Sequence, residues 1–227
     1  MGDISSMAGV DALAQELQSR VDSLSVLVNN AGYLGNEYRI SDDGLEMHFA
    51  VNVLSPWRLT HALLPVLRAA DGARVLHVTG GDRPGPVDVD NLQAEKGFKG
   101  LMTYTHSKSI LESMSMALAE ELKSEGITVN VVFPGRASTA MTRSLTAKGL
   151  PGPMKIMMPF FRLFFREDGG KSAAKASMST VWGVTADELD GVTGRYFDTH
   201  TNQQPLHPTA YEPETQRRIM ELMTSAV

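Results

Sequence analysis

Between Gly9 and Val21 the apolar residues Val10, Leu13, Ala14, Leu17 and Val21 recur at helical spacing, and the run Leu24 to Val28 then reads as a buried strand. Ser41-Asp42-Asp43-Gly44 predicts an N-cap ahead of a long periodic stretch from about Leu45 to Ala70, which Pro56 and Pro65 should bend or break. A strand from Ala73 to Thr79 follows, with Val75, Leu76 and Val78 as its β-rich positions. The Gly/Pro/Asp-rich stretch from Gly80 to about Gly100 predicts a loop. A helix over Met102 to Ser124 then leads through Glu125-Gly126 into a strand over Ile127 to Phe133. Strand and helix alternate, so the expected fold class is α/β: a doubly wound, Rossmann-like parallel sheet covered on both faces. In such folds function collects at the carboxyl ends of the strands.

Composition narrows this picture. A chain of 227 residues without an internal repeat or low-complexity linker predicts one domain over 1–227. The hydrophobic share of 42% is ordinary for a soluble protein, and no apolar run approaches the roughly 20 residues needed to span a bilayer. A net charge of -5 with scattered basic residues speaks against a nucleic-acid partner. Cysteine is absent, which excludes disulfide and thiolate chemistry and is compatible with a cytoplasmic location, the compartment expected here. No secretory signal is read ahead of the first helix. The histidines His48, His61, His77, His106, His200 and His207 show no metal-binding spacing, so no metal site is expected.

The chemistry-bearing candidate is Tyr104-Thr105-His106-Ser107-Lys108. A Tyr and a Lys four residues apart share a helix face, so an ammonium near the phenol should draw its pKa from about 10 toward neutrality and make it an acid or base. His106 falls on a different face and is expected to be a bystander. Alone, Y-x-x-x-K is a weak pattern that a solvated helix face also produces. Three further motifs accompany it in order: Asn29-Asn30-Ala31-Gly32 closing one strand, Asn52 in the next helix, and Pro134-Gly135 with Thr139 and Met141 after a later strand.

Together these motifs resemble the short-chain dehydrogenase/reductase family, and the stretch from Asp43 to Asn52 looks closest to its retinol-dehydrogenase-like branch. The resemblance covers nearly the whole chain. It implies an NAD- or NADP-dependent oxidoreductase acting on a carbonyl or alcohol. It assigns the acid/base role to Tyr104, the nicotinamide ribose and the tuning of Tyr104 to Lys108, and a proton relay to Asn52. Cofactor contacts are implied for Asp3 and Ile4 beside the adenine, for Asn30, Ala31 and Gly32, and for Pro134, Gly135 and Thr139.

Two departures from the family pattern matter. Where the family carries a serine that hydrogen-bonds the substrate carbonyl, this chain reads Val78-Thr79-Gly80-Gly81, so Gly80 or Thr79 stands at that position. Loss of such a donor costs on the order of 10²- to 10³-fold in turnover. Thr79 could replace it only if the strand end rotates, because neighbouring strand residues point to opposite faces. The chain also lacks the glycine-rich turn that cradles the pyrophosphate, with about 50 to 60 residues expected to be missing before Asp3. A shortened chain, completion by a dimer or partner at the exposed edge strand, and a divergent member using no nucleotide are the three explanations.

A substrate lid is expected at about 137–170. Its Met-, Phe- and Pro-rich run, Leu150 to Phe165, suits a lipophilic small molecule. Interleaved Lys155, Arg162 and Arg166 leave a membrane-surface helix as a competing reading, and a packed helix pair needs no ligand at all. A homo-oligomer is expected. Two other functions stay open: a cofactor-independent Tyr/Lys isomerase, dehydratase or cyclase, and a non-catalytic interaction protein.

Overall fold

The computed structural model describes residues 2–80, 85–135, 137, 139–160 and 173–226. The first helix, α1, spans Met7–Gln18 and is capped by the Ser6 hydroxyl, which accepts from the Gly9 amide. A second cap comes from far along the chain, because the Asp43 carboxylate accepts from the Met7 amide at 2.9 Å. The Ser41–Gly44 turn therefore caps the first helix and not the one that follows it, as its sequence suggested. That role falls to Glu46, whose carboxylate accepts from the amides of His48 and Phe49 at the start of α2, Met47–Phe49.

The long periodic stretch is divided. After α2 comes one π-helical turn, Ala50–Leu54, then α3, Ser55–Ala62, and α4, Leu64–Arg68. Pro56 and Pro65 each sit in the first turn of their piece, so each falls where the helical winding changes or restarts. The next helix, α5, runs over Gly100–Leu122; its last turn tightens to 3-10 geometry over Lys123–Glu125 and ends at Gly126 with φ of 73°.

Among the described residues the strands form one sheet in the order β1 (Val26–Asn29), β2 (Arg74–Val78), β3 (Thr128–Val132), β4 (Tyr196–Phe197) and β5 (Gln203–Gln204). The first four run parallel, with Leu27 opposite Val75 and Val75 opposite Val129, and β5 returns antiparallel. β2 and β3 are buried along nearly their whole length, as central parallel strands must be. The two-residue strands β4 and β5 are too short to leave a periodic trace in the sequence. β1 lies at one edge of the sheet, with Val28 36% exposed.

One face of the sheet carries the main core. Leu27, Val75 and Val129 meet Phe49, Leu54, Leu63 and Leu67 from the helices after β1, and Ile110, Met114 and Leu118 from α5. Ile219 and Met223 join them from α9, Pro213–Ser225. The opposite face is covered by α8, Met178–Thr185, which follows the short helices α6, Ala140–Arg143, and α7, Ala173–Ala176. Gly183 lets α8 lie close to the sheet, since a Cβ there would fall 2.8 Å from a Leu76 methyl. No helix among the described residues is long and apolar enough to cross a membrane.

Candidate active site

The carboxyl end of β2 meets the first three turns of α5, and three successive residues of the strand exit each take one residue of the helix. Lys108 Nζ donates to the Val78 carbonyl at 3.1 Å, and the Thr79 hydroxyl donates to Glu112 Oε1 at 2.5 Å. The Tyr104 ring lies against Gly80, where an added Cβ would fall 2.1 Å from the phenol oxygen. Tyr104, Lys108 and Glu112 are four residues apart, so one helix face presents all three.

Gly80 thus does more than omit a hydroxyl. The phenol of Tyr104 fills the space a side chain at position 80 would need. Thr79 supplies no substitute, because its hydroxyl points with His77 toward the α5 side of the sheet and is engaged by Glu112. Gly81 lies outside the described residues.

The electrostatics depart from the expected tuning. Burial pushes Tyr104 up to about 12, not down toward neutrality. Lys108 is the weaker influence because its ammonium is 6.0 Å from the ring centroid and points at the Val78 carbonyl. Burial also pulls Lys108 down to about 8, against the attraction of Glu112, and pushes Glu112 up to about 7, against the pull of Thr79 and Lys108. Among the described residues nothing hydrogen-bonds the Tyr104 hydroxyl, which leaves a neutral donor for a ligand.

Gly32 and Asn52 complete the group. A Cβ on Gly32 would fall 3.5 Å from Asn52 Oδ1 and 3.6 Å from Lys108 Nζ, so the glycine keeps this spot open above the ammonium. Asn52 sits in the π-helical turn with its side chain fully used: Oδ1 accepts from the Tyr33 amide, and Nδ2 donates to the Tyr33 carbonyl and to Ser107 Oγ. Ser107 in turn donates to the Tyr104 carbonyl. Asn30 and Ala31 are exposed on the same turn.

Other expected cofactor residues have local work. Asp3 is exposed and accepts from the Ser5 amide, which holds its carboxyl below the usual range. The Ile4 carbonyl accepts from Ser55. Thr139 caps α6 in a reciprocal pair with Thr142, and Gly135 follows Pro134 with φ of 89° and Thr199 packed where a Cβ would stand. His106 accepts from the Asp88 amide, a loop-anchoring role. The described residues contain no cluster of three or more acidic or histidine side chains that could hold a metal ion.

On its outer side Tyr104 joins an apolar cluster of Leu34, Leu101, Met141, Leu145, Leu150, Met154 and Met158. Much of this comes from the expected lid. Ile156 and Phe160 are exposed, whereas Phe161, Arg162, Leu163, Phe164, Phe165 and Arg166 lie outside the described residues.

A family model described as short chain dehydrogenase matches residues 1–149, well over half the chain. The chain belongs to the short-chain dehydrogenase family. Within that oxidoreductase family it is similar to human retinol dehydrogenase 14, 28% identical over 97% of this chain and 63% of the relative. Mouse polyprenol dehydrogenase is 31% identical over 96% of this chain and 64% of its own length. The chain therefore spans just under two thirds of these relatives. Among solved structures, a short chain dehydrogenase from Salmonella enterica serovar Typhi superposes with a TM-score of 0.58 at 24% identity, covering 89% of this chain and 72% of that one. The Pseudomonas aeruginosa RhlG/NADP active-site complex gives 0.51 at 27% identity, over 87% and 73%.

Within this site, sequence reasoning missed Glu112 and Ser107. Glu112 was legible, since it continues the Tyr104–Lys108 face by one more turn. Ser107 was not, because its role depends on an asparagine 55 positions away.

Proposed function

We propose that the chain is an NAD(P)-dependent oxidoreductase that interconverts a carbonyl and an alcohol on a lipophilic small molecule. The observation that carries this reading is the grouping of Tyr104, Lys108, Asn52 and Gly32 at the end of β2 beneath an apolar cluster. The relatives named retinol and polyprenol dehydrogenase support a lipophilic substrate.

The residues suit the nicotinamide ribose end of a dinucleotide. Gly32 leaves a cradle that a Cβ would fill, with the Lys108 ammonium at its base to take ribose hydroxyls. When bound, the nicotinamide supplies or takes up the hydride. Tyr104 gives its phenol proton to the carbonyl oxygen as the alcohol forms and recovers it in the reverse direction. A phenol pushed up to about 12 by burial is a poor acid, so the reaction in this reading needs Lys108 to swing from the Val78 carbonyl toward the phenol. Asn52 contributes by fixing the turn at Tyr33, and the Met and Leu side chains around Tyr104 exclude water and receive the apolar substrate. Asn30, Ala31, Pro134, Gly135, Thr139, Asp3 and Ile4 remain the proposed further dinucleotide contacts.

Calorimetric titration with NADH and NADPH, followed by turnover of a long-chain aldehyde, tests the proposal. Heat of binding and turnover lost in Tyr104→Phe are the expected results; no heat and no thermal shift with either nucleotide would sink it. A second reading, a protein that keeps the fold without turnover, draws on Gly80 and the neutral, inward phenol. It predicts nucleotide binding without turnover of any carbonyl offered.

A further inference from the structure

The face of α5 that carries Tyr104 and Lys108 does not stop at the reacting pair. One turn further on, Glu112 is as deeply buried as Lys108, both being 3% exposed. A carboxylate and an ammonium this far from water are each costly unless paired or fully hydrogen-bonded. The hydrogen bonds available are few. Among the described residues Lys108 has one acceptor, the Val78 carbonyl, for three N–H groups, and Glu112 has one side-chain donor, Thr79. The charges that face the pair come from several elements. His77 of β2 lies in the field of Lys108, and Tyr196 of β4 in that of Glu112, with Asp198 beyond it. His77 is held neutral, its Nδ1 paired with Ser115 and its Nε2 without a partner among the described residues, and the buried Tyr196 is likewise kept protonated. Neither balances Lys108. The acidic group whose charge does act on Lys108 is Glu112, one turn along the same helix face.

We infer that Glu112 is a positioning residue for Lys108: tethered by the Thr79 hydroxyl at the exit of β2, its carboxylate is the counter-charge that keeps Lys108 an ammonium under Gly32. The inference rests on the oxidoreductase reading for what that ammonium is for, a ribose contact and partner to Tyr104. The charge relation itself is independent of it. It also gives Thr79 a purpose: beside Gly80 at the strand exit, its hydroxyl is aimed at the charge that supports Lys108, and not at a substrate.

The test is a pH titration of the full chain labelled with 13C at lysine Cε, the Lys108 resonance being identified by its absence in Lys108→Met. Lys108 is expected to titrate well below the other lysines. Glu112→Gln, which keeps the shape and the contact with Thr79, should lower its midpoint further, by about one pH unit or more. Thr79→Val, which weakens the tether without touching the charge, should lower it by less. A folded Glu112→Gln protein with an unmoved Lys108 midpoint overturns the inference. Should that variant not fold, an unmoved midpoint in Thr79→Val overturns it instead. Nucleotide binding by the unaltered chain, measured alongside, separates the two ideas: a shifted Lys108 with no binding sinks the oxidoreductase reading alone, and binding with an unmoved Lys108 sinks this inference alone.

Discussion

The loop from Tyr33 to Gly35 is bordered by two buried polar clusters, and they use their hydrogen-bonding capacity very differently. Around Glu46 every strong group is taken. Its carboxylate accepts from the amides of His48 and Phe49 and from His48 Nδ1, and His48 Nε2 accepts from the Gly35 amide. The Gly35 donor fixes the imidazole tautomer, with the proton on Nδ1. Around Lys108, among the described residues, capacity is left over: a phenol without a partner, an ammonium with one acceptor, and a histidine nitrogen with none. A saturated cluster is a clamp that holds one conformation. An unsaturated one has somewhere to put a ligand, so burial of polar groups alone does not mark an active site.

That contrast can be broken by experiment. The largest effect expected is on turnover: Tyr104→Phe removes the proton donor and should lower kcat by about 10²- to 10⁴-fold with little loss of stability, measured by steady-state kinetics beside urea unfolding. A variant that loses stability and activity together would place Tyr104 among the clamps. Glu46→Ala should do the opposite, costing about 3 kcal/mol in urea unfolding because three buried donors lose their acceptor.

The third expectation concerns pH. Lys108 titrates near about 8 in the folded chain against 10.5 as its ordinary value, so between these limits the unfolded chain holds a proton that the folded chain has shed. Stability attributable to Lys108 therefore rises with pH through that window. Relative to Lys108→Met, the native chain should gain on the order of 2 kcal/mol between pH 8 and pH 10.5 in denaturant titrations. A constant difference would show that Lys108 is not held below its usual range. The smallest effect is assigned to Gly80→Ala, which must push the Tyr104 ring outward at a cost of about 1–2 kcal/mol. The displaced phenol regains water, so its titration by ultraviolet absorbance should fall from about 12 toward 10. An unchanged titration would show that the ring does not depend on the glycine.

Much of this arrangement was legible in the chain itself. The alternation from Val10 to Phe133 gave the layered parallel sheet because each central strand is short, apolar and covered on both faces. The residues that the motif order singled out, Gly32, Asn52, Tyr104 and Lys108, lie near one another in the fold. What stayed hidden were choices made between distant segments. Asp43 caps a helix 36 positions earlier, and the direction of the Tyr104 shift depends on how tightly Leu34, Leu145 and Leu150 close over it. Sequence spacing says that an ammonium can reach a phenol. It cannot say that a backbone carbonyl will hold that ammonium first.

The one-to-one matching of Val78, Thr79 and Gly80 with Lys108, Glu112 and Tyr104 has a consequence for how this chain tolerates change. Single substitutions can remove one of the three contacts and leave the others. Inserting or deleting one residue at the strand exit offsets all three together, because it slides the whole reading frame of strand against helix. Variation in length across this junction is thus confined to the connecting segment, and insertions tiled from residue 76 to residue 100 should show a sharp boundary at Gly80.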